Sequence, residues 1–300
     1  MGEQERAVSE GEGEMNRGAD MLTIAIIGAA GKMGSRIADN LSRGDYRLLL
    51  CEKGDAGIRR IRERGFSNTE TKRAIPLSDV IIMAVPDANI GGISRDIVPM
   101  MKAGATMILL DPAAAYIGEL ALREDCTFVV THPCHPALFG EQETPEARRD
   151  FFGGIAAKQD IVIALLRGGE GDFRMAQGIC IEMFAPVARC HRITVEQMAI
   201  LEPAAAEVVA ASAACLMKEA LDEAVKRGVP EEAARAFMLG HIQVPLAIAF
   251  GAISSPFSDA AKIAIKWGYE RIIRPDWRDA FKPDSIREVV HKMLHSEEGT

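Results

Sequence analysis

Three hundred residues, of which 48% are hydrophobic and 26% are charged, are enough to form two ordinary domains and exclude a wholly disordered chain. The 35 basic and 43 acidic residues give a net charge of −8, which opposes binding to a nucleic-acid backbone or to an anionic membrane surface. We therefore expect an enzyme-sized globular protein without a nucleic-acid or membrane partner.

The cellular compartment is predicted from the cysteines and from the first twenty residues. The six cysteines form no CxxC pair, and a chain of this size does not need disulfides, so we expect reduced thiols. Residues 1–20 are rich in Glu and Gly and lack the apolar middle of a signal peptide, so we expect a flexible tail. Both features predict a cytoplasmic protein. The most apolar later stretch, 244–253, is shorter than the roughly 18 residues of a membrane helix and is predicted to lie in the core.

Residues 21–192 alternate short apolar runs with segments of helical length. Five of these runs are 22–28, 47–51, 79–85, 106–110 and 127–131. Near-continuous apolar runs of this length are typical of parallel strands buried on both faces, so we predict an α/β fold with a Rossmann-type doubly wound sheet. A further run at 160–166, followed by a helix over about 172–188, is predicted to extend that sheet.

The remaining residues, 193–300, are predicted to form an all-helical domain. Its helices are expected at 203–227, 231–252, 258–267 and 283–295. Such a series of apolar helices has more surface than one small sheet domain can cover. We therefore expect this domain to bind substrate and to supply a homodimer interface.

The first predicted strand leads into the sequence G-A-A-G-K-M-G at 28–34, which opens a helix. Gly28 would permit the tight turn, Gly31 would let backbone amides approach a pyrophosphate, and Gly34 would allow close packing of the helix. The residues of this turn that we assign to cofactor binding are Gly28, Ala30, Gly31, Lys32, Met33 and Gly34.

Two further positions are predicted to choose and hold the cofactor. Glu52 ends the second strand, 18 residues beyond Gly34, where an acid accepts the ribose hydroxyls and repels a 2′-phosphate. This position favours NAD over NADP, although Lys53 beside it has the opposite charge. The third strand ends in M-A-V-P-D at 83–87, so Pro86 and Asp87 are expected to line the cofactor, or Asp87 caps the following helix.

A pair of histidines follows the fifth predicted strand in the sequence T-H-P-C-H-P at 131–136. Prolines fix the backbone there, and the loop lies at the edge of the sheet where ligands bind, so His132 or His135 can serve as a base or as a metal ligand. Each is alternatively an ordinary hydrogen-bonded loop residue.

Glu202 lies at the start of the helical domain, beside Pro203, which is tolerated in a first helical turn or kinks a longer helix. At the domain interface Glu202 can complete a metal site or an acid–base pair with His132; alternatively it lies at the surface and interacts with the helix dipole. Glu207, about 140° further around an α-helix, is expected to face elsewhere. No lysine lies between Arg192 and Lys218, so a lysine general acid is absent there, and a divalent ion can polarise the substrate instead.

Five of these motifs together resemble the D-apionate oxidoisomerase family, from about residue 21 over most of the chain. They are the glycine turn, M-A-V-P-D, H-P-C-H-P, L-E-P at 201–203 and G-H-I-Q at 240–243. The helical half resembles a 6-phosphogluconate-dehydrogenase-like domain. The resemblance implies NAD-dependent oxidation of a branched sugar acid, with a coupled rearrangement of D-apionate to 3-oxo-isoapionate in carbohydrate breakdown.

The same resemblance implies roles for individual residues. His132 and Glu202 would be catalytic and would hold one divalent ion, with zinc as the first expectation and magnesium or calcium as alternatives. His135, His241 and Gln243 would face the sugar acid, the last two across a dimer. Two other functions fit the residues, namely a β-hydroxyacid dehydrogenase without rearrangement and a non-catalytic NAD-sensing protein.

Overall fold

The computed structural model of the protein describes residues 21–295, so the predicted tail at 1–20 lies outside the described residues. Seven strands form one sheet in the order β2-β1-β3-β4-β5-β6-β7. The strands are β1 (Thr23–Ile27), β2 (Arg47–Cys51), β3 (Val80–Met83), β4 (Thr106–Leu109), β5 (Thr127–Pro133), β6 (Gln159–Arg167) and β7 (Val187–Arg192). The α-helices among them are α1 (Lys32–Leu41), α2 (Asp55–Glu63), α3 (Thr71–Ala74), α4 (Asp87–Ile97), α5 (Ala113–Tyr116) and α6 (Glu170–Met183).

The strands β1 to β5 are parallel to one another, which confirms the predicted Rossmann-type sheet. Alternate residues of β1 pack on opposite faces, as the strand periodicity requires. Ile24 and Ile26 join a core with α1 and α6, whereas Ala25 and Ile27 join a second core with α4. The two cores bury the sheet on both sides. Because β1 to β5 are parallel, their carboxyl ends meet at one edge of the sheet.

The end of the sheet differs from the prediction in two ways. Strand β6 does extend the sheet, but it runs antiparallel to β5. The helix predicted to continue to residue 188 ends at Met183, and the residues that follow form β7, a strand that was not predicted. Pro186 explains the difference, because proline cannot donate a helical hydrogen bond and disfavours helical geometry in the residue before it.

The helical part begins directly after β7. A capping box of Thr194 and Gln197 opens α7 (Val195–Ala199), in which the side chain of each residue bonds the backbone of the other. The helix continues as a π-helical segment, Ile200–Ala211, and then as α8 (Ser212–Lys226). It is followed by α9 (Glu231–Ala249), α10 (Asp259–Ile272) and α11 (Pro283–His295). Helix α11 has the predicted bounds and inserts Ile286, Val290 and Leu294 into the core that contains α4.

Helices α8 to α10 leave much of their apolar surface uncovered. Within residues 21–295, α10 has no buried residue, and Ile263 on it is 72% exposed. The stretch 244–253 was predicted to lie in the core, and this is wrong, because Val244 is 52% exposed and Phe250 is 77% exposed. These side chains lie on the outer faces of helices that have no further layer packed on them within the described chain.

One helix in the described chain is long and apolar enough to cross a membrane by length and composition. It is Val195–Lys226, whose most apolar window has a mean hydropathy of 1.6 and is 11% buried. This helix was not predicted from the sequence, where 244–253 was taken as the most apolar stretch. Since α7 packs in the core of the sheet domain, the exposed residues of this helix lie in the π-helical segment, where Leu201 is 49% exposed, and in α8.

Candidate active site

The glycine turn has the close contacts that its sequence predicts. Gly28 has a φ of +80°, and a Cβ on it would lie 2.3 Å from the Ala84 carbonyl oxygen. A Cβ on Gly34 would lie 2.2 Å from the Gly28 carbonyl oxygen, so the helix could not approach the strand with any larger residue. Gly31 is the N-cap of α1 and provides no side-chain hydrogen bond to the helix. The first amides of this helix can therefore bind an anionic ligand.

A cavity of about 800 Å³ extends from this turn past the end of β2 to α4. Four of the predicted cofactor residues line it, namely Gly28, Gly31, Glu52 and Pro86. The Glu52 carboxylate accepts hydrogen bonds from the backbone amides of Ala30 and Lys53, at 3.3 and 3.0 Å. Its position at the end of β2 is the one from which an acid can reach an adenosine ribose. Met33 packs instead against the core that contains α1.

Asp87 lies at the first position of α4, and its side chain makes no capping hydrogen bond there. The alternative of a helix cap is therefore not what the structure contains. Asp87 is half-buried. Burial and the negative charge of Asp111 raise the pKa of Asp87, and burial and the charges of both residues raise the pKa of Glu202. Asp111 is buried just after β4 and accepts a hydrogen bond from the Ala113 amide at 2.7 Å.

His132 is the penultimate residue of β5, where the sequence predicted a loop just after the strand. Its Nδ1 lies 2.8 Å from the Leu110 carbonyl oxygen, which can only accept, so Nδ1 carries the proton. Burial lowers the pKa of His132 below its usual value, so the ring is neutral at neutral pH. The Nε2 lone pair is therefore available as a base or as a metal ligand.

His135 lies beside the His132 ring, and Phe152 connects it to Lys32. The two imidazoles meet edge to face at 6.1 Å, and His135 adopts a left-handed φ of +59°. Its Nδ1 donates to the Phe152 carbonyl oxygen at 3.0 Å, and the ammonium group of Lys32 lies 2.9 Å from the centre of the Phe152 ring. The long β5–β6 connection thus joins the glycine turn to the histidine pair.

Glu202 and Glu207 both act on this site, and the prediction that Glu207 faces elsewhere is wrong. The charge of Glu207 contributes to the pKa of Glu202, Asp111 and His132. The physical reason is the π-helical winding of Ile200–Ala211. Its i→i+5 hydrogen bonds place residues five apart on one side of the helix, whereas an α-helix would separate them widely. Pro203, which has no N–H to donate, lies inside this segment.

The carboxylates in this cluster oppose one another's ionisation. Burial, together with the charges of Asp111, Glu207 and Asp87, raises the pKa of Glu202 to about 8. Burial is also the main reason that the pKa values of Asp87 and Asp111 are raised to about 6 each. The Oε2 atom of Glu202 is buried and has no hydrogen-bond partner within residues 21–295. A buried carboxylate with a raised pKa and an oxygen that has no hydrogen-bond partner is typical of a functional site.

The cluster is not arranged as a finished metal centre. Among the described residues, no three His, Cys, Asp or Glu side chains stand in a geometry ready to hold an ion. The donor chemistry nevertheless fits a divalent cation, because the unpartnered oxygen of Glu202 belongs to a group of four acids that includes Asp111 and Glu207. We therefore name these acids as the residues that would hold an ion, and His132, whose one free lone pair is on Nε2, as the base beside them.

His241 and Gln243 lie elsewhere on the same chain. Both are exposed on α9, and His241 stacks on Phe237 with ring centres 3.8 Å apart. His241 lines an apolar groove between α9 and α10, whose wall also contains Val244 and Ile265. Within one chain the structure therefore does not bring His241 to His132.

Two residues of the cluster were missed by the sequence analysis. Asp111 follows a buried parallel strand at the edge where ligands bind, which is a signal that the sequence contains. Glu207 has no comparable signal, because a π-helical winding is not visible in an apolar pattern.

Comparison with known proteins identifies the family. Residues 20–139 match the NADPH-binding domain of acetohydroxy acid isomeroreductase, and residues 140–294 match the C-terminal domain of decarboxylating phosphogluconate dehydrogenase. A D-apionate oxidoisomerase of Cupriavidus necator is 44% identical over 90% of this chain and 98% of its own length. One from Blautia hydrogenotrophica is 44% identical over 91% and 97%. The chain belongs to the D-apionate oxidoisomerase family.

Solved structures agree with this family assignment. A Cupriavidus necator protein described as a semialdehyde dehydrogenase NAD-binding protein, crystallised with calcium and NAD, is 44% identical to this chain. It superposes with a TM-score of 0.88 over 91% of this chain and 99% of its own. A putative oxidoreductase from Jannaschia is 37% identical, with a TM-score of 0.86 over 92% and 99%. The predictions of the oxidoisomerase family, of its Rossmann-type fold and of an NAD-dependent oxidoreductase are confirmed.

Proposed function

We propose that this member of the D-apionate oxidoisomerase family oxidises D-apionate with NAD and rearranges it to 3-oxo-isoapionate. The observation that carries the proposal is the position of the buried Glu202 carboxylate oxygen among Asp87, Asp111 and Glu207. The charges of Asp87 and Glu207 also act on His132. This cluster lies at the carboxyl edge of the sheet, next to the cavity at the glycine turn. The names of the curated relatives supply the substrate, and the cluster supports the chemistry.

We propose that the site uses a hard divalent cation, calcium or magnesium in preference to the zinc first expected. The acids of the cluster offer oxygen ligands, which suit calcium and magnesium, and the one free nitrogen of His132 is kept for the base. The calcium in the Cupriavidus necator protein supports this choice. Such an ion, when bound, supplies a positive charge that polarises a hydroxyl group and stabilises an oxyanion.

Residues of this chain accept the substrate proton, bind the cofactor and bind the substrate carboxylate. His132 is neutral and its Nδ1–H is engaged by Leu110, so its Nε2 accepts the proton of the substrate hydroxyl as hydride passes to the nicotinamide. Glu52 holds the adenosine ribose, and the first amides of α1 hold the pyrophosphate. Lys32, which lies over the Phe152 ring, adds a positive charge and hydrogen-bond donors for the substrate carboxylate, and His135, bonded to the Phe152 carbonyl oxygen, holds this loop in place.

We also propose that the active form is a homodimer, with a second copy of this chain packed on α8 to α10. The support is the extent of exposed apolar surface, which includes Phe237 at 63%, Ile263 at 72% and Trp267 at 57%. His241 and Gln243 lie on the same surface, so a partner chain is the route by which they reach a substrate. A cytoplasmic location is proposed on the support of six free cysteines, and the net charge of −8 favours no nucleic-acid partner.

The proposal is tested with purified protein, NAD, D-apionate and either calcium or magnesium, by following NADH formation. We expect NADH with D-apionate, less with linear aldonates, and loss of turnover on chelation that calcium or magnesium restores better than zinc. The carbon skeleton of the product is traced by NMR with labelled D-apionate. An unrearranged product would leave a plain dehydrogenase, and no NADH with any sugar acid would leave a non-catalytic NAD-binding protein.

A further inference from the structure

Gly57 is the third residue of α2 and is buried against the side chain of Glu52. A Cβ built on Gly57 would lie 2.4 Å from Cγ and 2.8 Å from Cδ of Glu52. Both distances are far shorter than any van der Waals contact between carbon atoms. Glycine is also a poorer helix former than alanine, so a glycine inside α2 needs a reason in packing. The contact with Glu52 supplies that reason.

The conformation of Glu52 that needs this space is held by hydrogen bonds. The two carboxylate oxygens accept from the amides of Ala30 and Lys53, and the Glu52 amide donates to Oδ1 of Asn68 at 2.9 Å. These contacts keep the negative charge at the glycine turn and on the wall of the 800 Å³ cavity. A side chain at residue 57 would force the carboxylate out of this position.

The rest of the cavity near Glu52 is positively charged. Lys53, Arg60 and Lys72 line it, and in the described part of the chain none of the three forms an ion pair with a carboxylate. With Glu52 in place, the end of β2 carries an acid that repels a 2′-phosphate. With Glu52 displaced, three cations would face the same space, and they would attract that phosphate.

We propose that Gly57 is a positioning residue that sets the preference of the protein for NAD over NADP. It does so by leaving room for the Glu52 carboxylate at the ribose position, in front of the three cations. The inference rests on the proposed role of Glu52 in binding ribose. It assigns no direct contact with cofactor to Gly57.

The test measures dissociation constants of NADH and NADPH by fluorescence titration, so it needs no sugar acid. The chains compared are the wild type, Gly57→Ala, Glu52→Ala, the double variant and Gly178→Ala. Gly178 is the matched control, because it lies within α6 and, among the described residues, a Cβ added to it would have no atom within 4 Å. Thermal unfolding followed by circular dichroism verifies that each chain is folded.

We expect Glu52→Ala to weaken NADH binding by about tenfold, the scale of a charge-assisted hydrogen bond, and to strengthen NADPH binding. Gly57→Ala should move both constants in the same directions, by about threefold to tenfold. Because alanine at position 52 has no Cγ to collide with, the double variant should match Glu52→Ala to within about twofold. Gly178→Ala should bind both cofactors as the wild type does.

The other possible results separate a failure of the ribose role of Glu52 from a failure of the inference about Gly57. If Glu52→Ala leaves the NADH to NADPH ratio unchanged, the ribose role in the proposed function is wrong, and this inference loses its basis. If Glu52→Ala shifts the ratio but Gly57→Ala does not, only the inference is wrong. An effect of Gly57→Ala that persists in the double variant also overturns it. A Gly57→Ala chain that folds only when residue 52 is alanine supports the contact, and one that folds in neither background contradicts it.

Discussion

The half-buried Glu202 and the more exposed Glu207 act on the same group of acids because the helix between Ile200 and Ala211 is wound as a π-helix. In an α-helix, residues five apart point in clearly different directions, and only one of these acids would reach Asp111 and His132. The π-helical winding brings a second carboxylate to the site at the cost of weaker local hydrogen bonding, which is the kind of irregularity found at functional sites.

The first prediction concerns Glu207. Because its charge raises the pKa of Glu202, Glu207→Gln should lower that pKa and remove one carboxylate from the cluster. We expect affinity for calcium to fall by about tenfold, as for the loss of one charged ligand interaction. Isothermal titration calorimetry measures this affinity. Glu124→Gln, at an exposed position outside the cluster, is the control. Equal calcium affinity in Glu207→Gln and the control would contradict a role for Glu207.

The second prediction is a pH dependence of cation binding. A cation binds the ionised acids, whereas Glu202 has a pKa of about 8 and Asp87 and Asp111 have pKa values of about 6 without it. Calcium affinity should therefore rise steadily as the pH increases from about 5.5 to about 8.5, with release of protons. Calorimetry in two buffers of different ionisation enthalpy counts those protons. Binding that is independent of pH and releases none would rule out these acids as ligands.

The third prediction concerns stability without cation. The pKa of Glu202 is raised in the folded chain from an ordinary value of 4.5 to about 8. Between these values the folded state holds a proton that the unfolded state has lost, so the free energy of unfolding decreases as the pH rises through this window. In chelator at about pH 8.5, Glu202→Gln should be more stable than the wild type by at least about 1 kcal/mol, or a few degrees in Tm. At about pH 4 the two melting temperatures should converge, and a constant difference would contradict the assignment.

The parts of this protein that sequence predicts well are those in which local pattern and tertiary structure agree. The apolar runs of β1 to β5 are buried on both faces, and the steric demands on Gly28 and Gly34 follow from one turn. The strand pattern and the contact of Gly34 with the Gly28 carbonyl oxygen are local, and the contact of Gly28 with Ala84 follows from the pairing of β1 with β3. The fold and the cofactor cleft could therefore be predicted from the sequence.

The errors arose where a residue's environment depends on distant parts of the chain or on an unusual local winding. Strand β7 was not predicted, because its residues are mostly polar and exposed and its pairing depends on β6, and Pro186 was not weighed. Glu207 was predicted to face away from the site because this segment was expected to be an α-helix, whereas it is a π-helix. The stretch 244–253 was placed in the core because its apolar side chains were assumed to be covered within one chain.

The fourth prediction separates the two ring nitrogens of His132. Asparagine at this position retains an N–H near the Leu110 carbonyl oxygen but has no counterpart of Nε2. His132→Asn should therefore fold normally and bind NADH with wild-type affinity, while kcat falls by roughly 10² to 10⁴, the usual contribution of a general base. Stopped-flow kinetics and NADH titration measure the two quantities. His291→Asn, exposed on α11, is the control. A His132→Asn enzyme with normal kcat would exclude Nε2 from the reaction.

The fifth prediction concerns the exposed apolar faces of α8 to α10. If a second copy of the chain covers them, Ile263→Glu places a charge inside the interface, so the molecular mass in solution should fall to that of a monomer. Analytical ultracentrifugation measures the mass, and sedimentation with phosphatidylcholine vesicles tests whether a lipid surface covers these helices instead. Leu77→Glu is the matched control, because Leu77 is 52% exposed but lies just after α3. A wild-type chain that is monomeric, or that sediments with the vesicles, would contradict the homodimer. Since His241 lies on this surface, Ile263→Glu should also lower turnover if the partner chain completes the site, whereas Leu77→Glu should not.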